Sequence, residues 1–265
     1  MINYAKIRKN TEKVVKNAAR LVRGVRFEIS EKGDAANIVT SSDLFVQKYL
    51  CEKLAKILPE AGFYCEEENL KDTESEFIWV IDPIDGTMNY SRNIEECVIS
   101  VGLIHNKKPV VGVVQNIYRN ELFSASLGDG AKCNGKEIHA SGKSFSQSLL
   151  FTAMSLYKKE LAPICNDIIM EAYLKCSDFR RFGSCAVELC YLAKGCADLF
   201  FEMRVFPWDY AGAVLILTEA GGVAKGYNGE ALSFDKPTPI IAANTYENYE
   251  ELNAIVMRHM KEIPY

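Results

Sequence analysis

The chain of 265 residues is poor in the features that mark specialised protein classes. It has only three histidines, at 105, 139 and 259, and no H-E-x-x-H, which excludes a zinc site of that design. Its nine cysteines include no C-x-x-C pair; odd in number and set in apolar surroundings, they are expected to be mostly reduced core residues. No stretch reaches the roughly 18 uncharged apolar residues that a membrane-spanning helix needs. The opening MINYAKIRKNTEKVVKNAARLV alternates charged with apolar residues and lacks the features of a secretory signal, so a cytoplasmic location is expected. With a formal net charge of −4 and both signs interspersed, there is no broad basic field to attract nucleic acid or an anionic membrane, and neither is expected as a partner. Repeats, low-complexity stretches and flexible linkers are also missing, which leaves a globular protein whose chemistry must rest on carboxylates.

What is present is a sequence of clear periodicities. Tyr4, Ile7, Thr11, Val14, Val15, Ala18, Leu21 and Val22 recur at helical spacing, and a second helix is predicted after Thr40, Ser41 and Ser42, stopped by Pro59. From Phe77 to Ser126 the pattern turns to short Val- and Ile-rich runs separated by HNKK and YRN turns, which predicts a mainly antiparallel sheet. Asn134-Gly135 predicts a tight hairpin, with strand-like residues around Ile138. Beyond a boundary near Ser144 come a strand at 149–153, a helix at 160–175, a helix from Ser184 to Gly195 and a strand at 197–202. A helix from Pro207 to the Gly221-Gly222 pair, a strand PIIAAN and a terminal helix complete the chain. The expectation is two halves, residues 1–144 and 145–265, packed as one compact unit of strands and helices in layers.

The most informative segment is WVIDPIDGTMNY, Trp79 to Tyr90. An apolar strand runs into two carboxylates, Asp82 and Asp85, around a proline. Pro83 has no amide hydrogen and a fixed φ, so it is expected to end sheet pairing and leave the Ile84 carbonyl free to face a cation. Magnesium takes oxygen ligands in an octahedron, commonly one or two carboxylates, waters and a substrate phosphate, and two aspartates plus a carbonyl suit it. Gly86 allows close backbone approach, and the amides of Gly86 and Thr87 can donate to phosphate oxygens. The same residues also suit an ordinary turn, because Asp, Pro and Gly are the commonest turn formers.

The segment D-P-I-D-G-T after an apolar strand resembles the signature of the inositol monophosphatase family, and three further segments resemble that family in the right order. PWDYAGAVLILTEAGG, from Pro207 to Gly222, matches its helix opening on Trp-Asp; Cys65-Glu66-Glu67-Glu68 stands where the family has a Glu pair; RRFGSCAVELCYLAKGCADLFFEM resembles its substrate-binding segment. The upstream run KGDAANIVTSSD is similar to the family's mobile loop and following helix, placing Lys32 on the loop and Asp43 near Thr87. The resemblance covers nearly the whole chain and implies an α+β fold, a layered αβαβα sandwich of the inositol monophosphatase and fructose-1,6-bisphosphatase type.

It also implies a magnesium-dependent, lithium-sensitive phosphatase. Glu66, Asp82 and the Ile84 carbonyl would hold one Mg2+, and Asp82, Asp85 and Asp209 a second, with a third weaker ion near Glu66. Glu67 stays open as an alternative to Glu66, because three consecutive glutamates blur the register. Thr87 with Asp43 would deprotonate the attacking water, and Lys32 would lend charge to the loop over the metals. Glu202, Asp85 and the helix start Gly183, Ser184, Cys185 and Ala186 would bind the hydroxyls of a polyol, and the enzyme would be a homodimer. Relatives act on fructose 1,6-bisphosphate, histidinol phosphate, NADP or 3′-phosphoadenosine nucleotides, and some bacterial ones associate with transcription machinery.

The sequence departs from the family pattern where Ile94-Glu95-Glu96 replaces a Phe-Pro dipeptide and where Arg181 stands beside the expected Arg180; both touch the pocket rim. Gly130 to Lys136 satisfies the P-loop pattern G-x-x-x-x-G-K, but Glu137 replaces the required Ser or Thr and the stretch sits on the Asn-Gly hairpin, so nucleotide binding there is rejected.

Overall fold

The computed structural model describes residues 2–34, 37–67, 70–72, 74–154 and 158–260. Five layers alternate, helix, sheet, helix, sheet, helix, and the chain fills them in a simple order. The first helical layer is α1 (Tyr4–Val22) and α2 (Ser41–Leu54). Between them runs an antiparallel pair, β1 (Ile29–Asp34) and β2 (Asn37–Thr40). A paired hairpin thus stands where a loop was expected, because Ile29, Ser30 and Glu31 find backbone partners in Thr40, Val39 and Ile38.

The large sheet has seven strands in the order β3 (Gly62–Cys65), β4 (Phe77–Asp85), β5 (Val98–His105), β6 (Lys108–Asn116), β7 (Leu122–Ser126), β8 (Ala131–Cys133) and β9 (Lys136–Glu137). All its neighbours are antiparallel except β3 and β4. Asn134 and Gly135 carry the positive φ values, 52° and 78°, of the hairpin between β8 and β9. One face of the sheet buries Trp79, Ile81, Val101, Leu103 and Val113 against Val15, Val22, Val46 and Leu50 of the first two helices. Fully burying each such side chain contributes about 1.5–3 kcal/mol.

After a short helix α3 (Thr87–Ser91), strand β10 (Leu149–Thr152) and helix α4 (Ala162–Tyr173), the remaining elements are β11 (Asp178–Arg180), α5 (Cys185–Ala193), β12 (Leu199–Val205), α6 (Pro207–Glu219), β13 (Val223–Lys225), β14 (Thr238–Ala243) and α7 (Tyr246–Met260). They supply a second, five-stranded mixed sheet in the order β11-β10-β12-β14-β13. Side-chain alternation makes this sheet two-faced. Phe200, Ile240 and Ala242 pack inward with α5 and α6, whereas Phe201, Ile241 and Ala243 pack outward with α4 and α7. The sandwich is therefore αβαβα. Among the described residues no helix is long and apolar enough to cross a membrane, and all nine cysteines are free.

The contact that sets the site is the seat of α6 on the large sheet. Gly102 and Gly112 lie opposite each other on β5 and β6. A Cβ on Gly102 would meet the Ala211 backbone at 2.9 Å, one on Gly112 the Gly212 carbonyl at 2.2 Å, and one on Gly212 the Val101 carbonyl at 2.9 Å. Three absent side chains thus let the helix lie backbone to backbone on the strands. A Gly112→Ala substitution is expected to lower unfolding free energy by about 1–3 kcal/mol through overpacking. Gly142→Ala, with nothing within 4 Å, should stay within about 0.5 kcal/mol of the parent. Denaturant titration of both variants checks this, and equal stabilities would contradict the close approach.

Candidate active site: a carboxylate-lined cavity

The seat of α6 brings its first turn to the end of β4, where D-P-I-D stands. Pro83 does not end the strand: pairing slips between Asp82, opposite Ser100, and Asp85, opposite Val98. The slip is a bulge, and it re-aims both carboxylates. Asp82 Oδ1 accepts from the Ile84 amide at 3.0 Å, and the Ile84 carbonyl accepts from Thr87 Oγ1 at 3.0 Å. Gly86 then takes φ of +89°, and a Cβ there would stand 3.0 Å from the Glu96 carbonyl and 3.2 Å from Ser184 Cβ. Only glycine combines that backbone angle with that approach.

One cavity of about 100 Å³ gathers the predicted residues: Glu66, Asp82, Ile84, Asp85, Gly86, Thr87, Gly183, Ser184, Cys185, Glu202 and Asp209 all line it. Three acidic residues around it are held at helix starts. Asp43 caps α2, its Oδ2 accepting from the Thr40 amide at 2.8 Å and also from the Thr40 hydroxyl. Its Oδ1 is 3.4 Å from Thr87 Oγ1. Asp85 Oδ2 accepts from Ser184 Oγ at 2.7 Å and from the Ala186 amide at 2.6 Å, at the start of α5. Asp209 Oδ2 accepts from the Phe206 amide at 2.7 Å, at the start of α6. Helix N-termini favour anions, and three of them point here.

Glu66 follows β3, held by its amide on the Ile81 carbonyl at 3.2 Å. Its neighbour Glu67 is pinned through its backbone by Gln47, whose side chain bonds the Glu67 amide at 3.0 Å and carbonyl at 2.9 Å. Of that pair, Glu66 is the residue lining the cavity. Glu68 and the Lys32 side chain lie outside the described residues.

Two charged lining residues did not figure among the predicted site residues. Glu188 is buried in α5, and its Oε1 accepts from the Phe182 and Gly183 amides, bracing the turn that carries Ser184. It is the only charge in the helix CAVELCYLA, and a lone charge among apolar residues was the available signal. Of the arginine pair, Arg181 lines the cavity, whereas Arg180 is ion-paired to Asp178.

The electrostatics are those of crowded, buried acids. Burial first, and then the charges of Glu66, Asp85 and Asp209, push the Asp82 carboxyl well above the usual carboxylate range. Asp209 is raised by burial and then by Asp85 and Glu66. Burial raises Asp85 to about 7 against the lowering effect of its Ser184 and Ala186 hydrogen bonds. Burial and Asp85 raise Glu202 to about 8, with Arg181 opposing. Among the described residues no three His, Cys, Asp or Glu side chains close on one point as a ready cage, and Asp82, Asp85 and Asp209 each accept from a backbone amide. The donor set itself fits a hard divalent cation: carboxylates and one carbonyl, no imidazole, and in Cys185 a thiol that burial keeps protonated.

Comparisons with known proteins bear on the family and the fold. Residues 3–261 match the model of the inositol monophosphatase family. The chain is 33% identical over 230 residues to an inositol-1-monophosphatase of Synechocystis sp., covering 85% of this chain and 79% of that one. It is 34% identical over 204 residues to the Nus factor SuhB of Escherichia coli K12, 76% of each chain. An inositol monophosphatase structure from Anabaena superimposes with a TM-score of 0.85 at 28% identity, over 97% of both chains.

The raised carboxyls make stability depend on pH. Asp85 and Glu202 keep protons in the cation-free folded state well above the range of about 4 in which they ionise when unfolded. Their contribution is therefore full below that range and is lost as pH rises through about 7 and about 8. The melting temperature in excess chelator should fall between about pH 5 and pH 8, and Mg2+ at pH 8 should restore it. A rising or flat profile would contradict the crowding.

Proposed function

The chain belongs to the inositol monophosphatase family, and from that premise we propose that it hydrolyses a small, soluble phosphate monoester, with myo-inositol monophosphate as the first candidate. One observation carries the reading: Glu66, Asp82, Ile84, Asp85, Thr87 and Asp209, from three separate stretches of chain, line a single cavity. Two magnesium ions would suit these donors: Glu66, Asp82 and the Ile84 carbonyl would hold one and Asp82, Asp85 and Asp209 the other, with a third, weaker ion near Glu66. Bound there, magnesium would acidify a water, orient the phosphoryl group and stabilise the departing oxygen.

The chain's own groups perform the rest. Thr87 Oγ1 lies between the Ile84 carbonyl and Asp43 Oδ1; with that carbonyl taken up by a metal, its hydrogen would turn to Asp43 and its lone pairs to a water. Asp43, fixed by its cap on α2, takes up the proton passed along that relay. The Gly86 and Thr87 amides hold phosphate oxygens at the start of α3. Ser184 and Ala186 fix Asp85, which with Glu202 accepts from leaving-group hydroxyls next to Gly183 and Cys185. Residues 1–144 and 145–265 act as one catalytic unit, cytoplasmic and homodimeric, with Lys32 supplying charge above the metals. Fructose 1,6-bisphosphate, histidinol phosphate, NADP and 3′-phosphoadenosine nucleotides are the alternative esters on the same chemistry.

Relatives named Nus factor SuhB favour a second reading, a partner-binding role in transcription apart from catalysis. Asp82→Asn and Asp209→Asn separate the two. Each should lower phosphate release by more than about 100-fold, because even outer-shell partners of a metal cost 10–100-fold. Neither should melt lower than the parent in chelator, since each removes one of the repelling charges. A magnesium-dependent release assay over phosphorylated polyols, repeated with lithium, makes the measurement. Substantial turnover in either variant would defeat the metal assignment, and partner capture that survives in Asp82→Asn would support the second role.

A further inference from the structure

The arginine pair after β11 is divided by the fold. Arg180 is turned to the protein: its Nη1 meets Asp178 Oδ2 and donates to the Phe179 carbonyl at 2.7 Å. Arg181 is exposed, lines the cavity, and among the described residues forms no ion pair. It is the one cation among the lining residues described, in a cavity whose other charged side chains are all acidic. It stands at the leaving-group end, next to Phe182 and Gly183 and close enough to Glu202 for its charge to act on that carboxyl.

A guanidinium with unspent donors is a poor partner for a neutral hydroxyl and a good one for a second anion, because its planar fork matches carboxylate and phosphate oxygens two at a time. Burial would weaken that use through desolvation, but Arg181 is exposed and meets its ligand from water. Arg180 has the same side chain one residue away with its charge already answered, so composition alone would not choose between them.

Resting on the hydrolase reading above, we propose that Arg181 is a specificity-determining residue that lets this enzyme take, besides neutral polyol esters, phosphate monoesters whose leaving group carries a second anionic group. The bond broken is unchanged, and the second group is bound and released intact with the alcohol. A phosphate and a carboxylate share the required chemistry.

The test compares kcat/KM for a neutral polyol monophosphate, a hexose bisphosphate and a phosphorylated sugar acid in the parent, Arg181→Gln, Arg181→Lys and Arg180→Gln. The ratio of doubly anionic to neutral ester should fall about ten- to a hundredfold in Arg181→Gln, the worth of charge-assisted hydrogen bonds. It should fall less in Arg181→Lys, which keeps the charge and loses the fork, and stay at the parent value in Arg180→Gln. A fall with both doubly anionic esters assigns the subsite to anions in general, and a fall with one alone assigns it to phosphate or to carboxylate. A parent that turns over only the neutral ester, an unchanged ratio in Arg181→Gln, or equal falls in the Arg180 and Arg181 variants would overturn the proposal while leaving the hydrolase reading standing. No phosphate release from any ester would overturn both.

Discussion

Five buried carboxylates, Asp82, Asp85, Glu188, Glu202 and Asp209, crowd one small cavity and repel each other, and most of this structure is arranged to tolerate that. Asp82 and Asp209 are almost fully buried, and each raises the other's cost of ionising. Removing such groups from water without compensation is expensive, so the protein surrounds them with fixed partial positive charge. The starts of α2, α5 and α6 converge on the site, and each places amide or hydroxyl donors on a particular oxygen of Asp43, Asp85 or Asp209. The caps also fix the side chains' directions, so one set of hydrogen bonds serves helix initiation and site geometry together.

That arrangement requires the middle helical layer to be placed to within a few tenths of an ångström. Gly102, Gly112 and Gly212 let α6 rest on the strands with no side chain between, and Asp209 lies one turn before Gly212. Near it, Trp208 stacks on Phe206 with ring centroids 4.7 Å apart and meets the edge of Tyr64 at 5.2 Å. Those aromatic contacts tie the first turn of α6 to β3, the strand that leads into Glu66. Strand, helix and acid are thereby coupled, and a shift in one is felt by all.

Much of this was legible in the sequence. The amphipathic spacing of α1, the capping run before α2, the Val- and Ile-rich strands and the Asn-Gly turn each reported their own structure, because each depends on neighbours a few residues away. The motifs D-P-I-D-G-T and W-D pointed to the acids only through the family resemblance, since the same residues also suit an ordinary turn and helix start. What was not legible depends on pairing between distant segments. β1 and β2 form a hairpin where a loop was expected, because their backbone groups find each other. Pro83 produces a bulge and not an end, because β5 continues to pair on its far side. Glu66 and Glu67 were indistinguishable by composition; β3 lies in register with β4, and Gln47 grips the backbone of Glu67, so Glu66 is the one at the cavity. The division between Arg180 and Arg181 likewise appears only once β11 is in place.

We propose that these repelling acids are a seat for divalent cations. It is tested most directly by anomalous diffraction from crystals grown with Mn2+ in place of Mg2+, since scattering locates ions independently of any assay. Two strong peaks are expected within the cavity, one between Glu66, Asp82 and the Ile84 carbonyl and one between Asp82, Asp85 and Asp209. Crystals that hold Mn2+ elsewhere, with no peak among these residues, would contradict it.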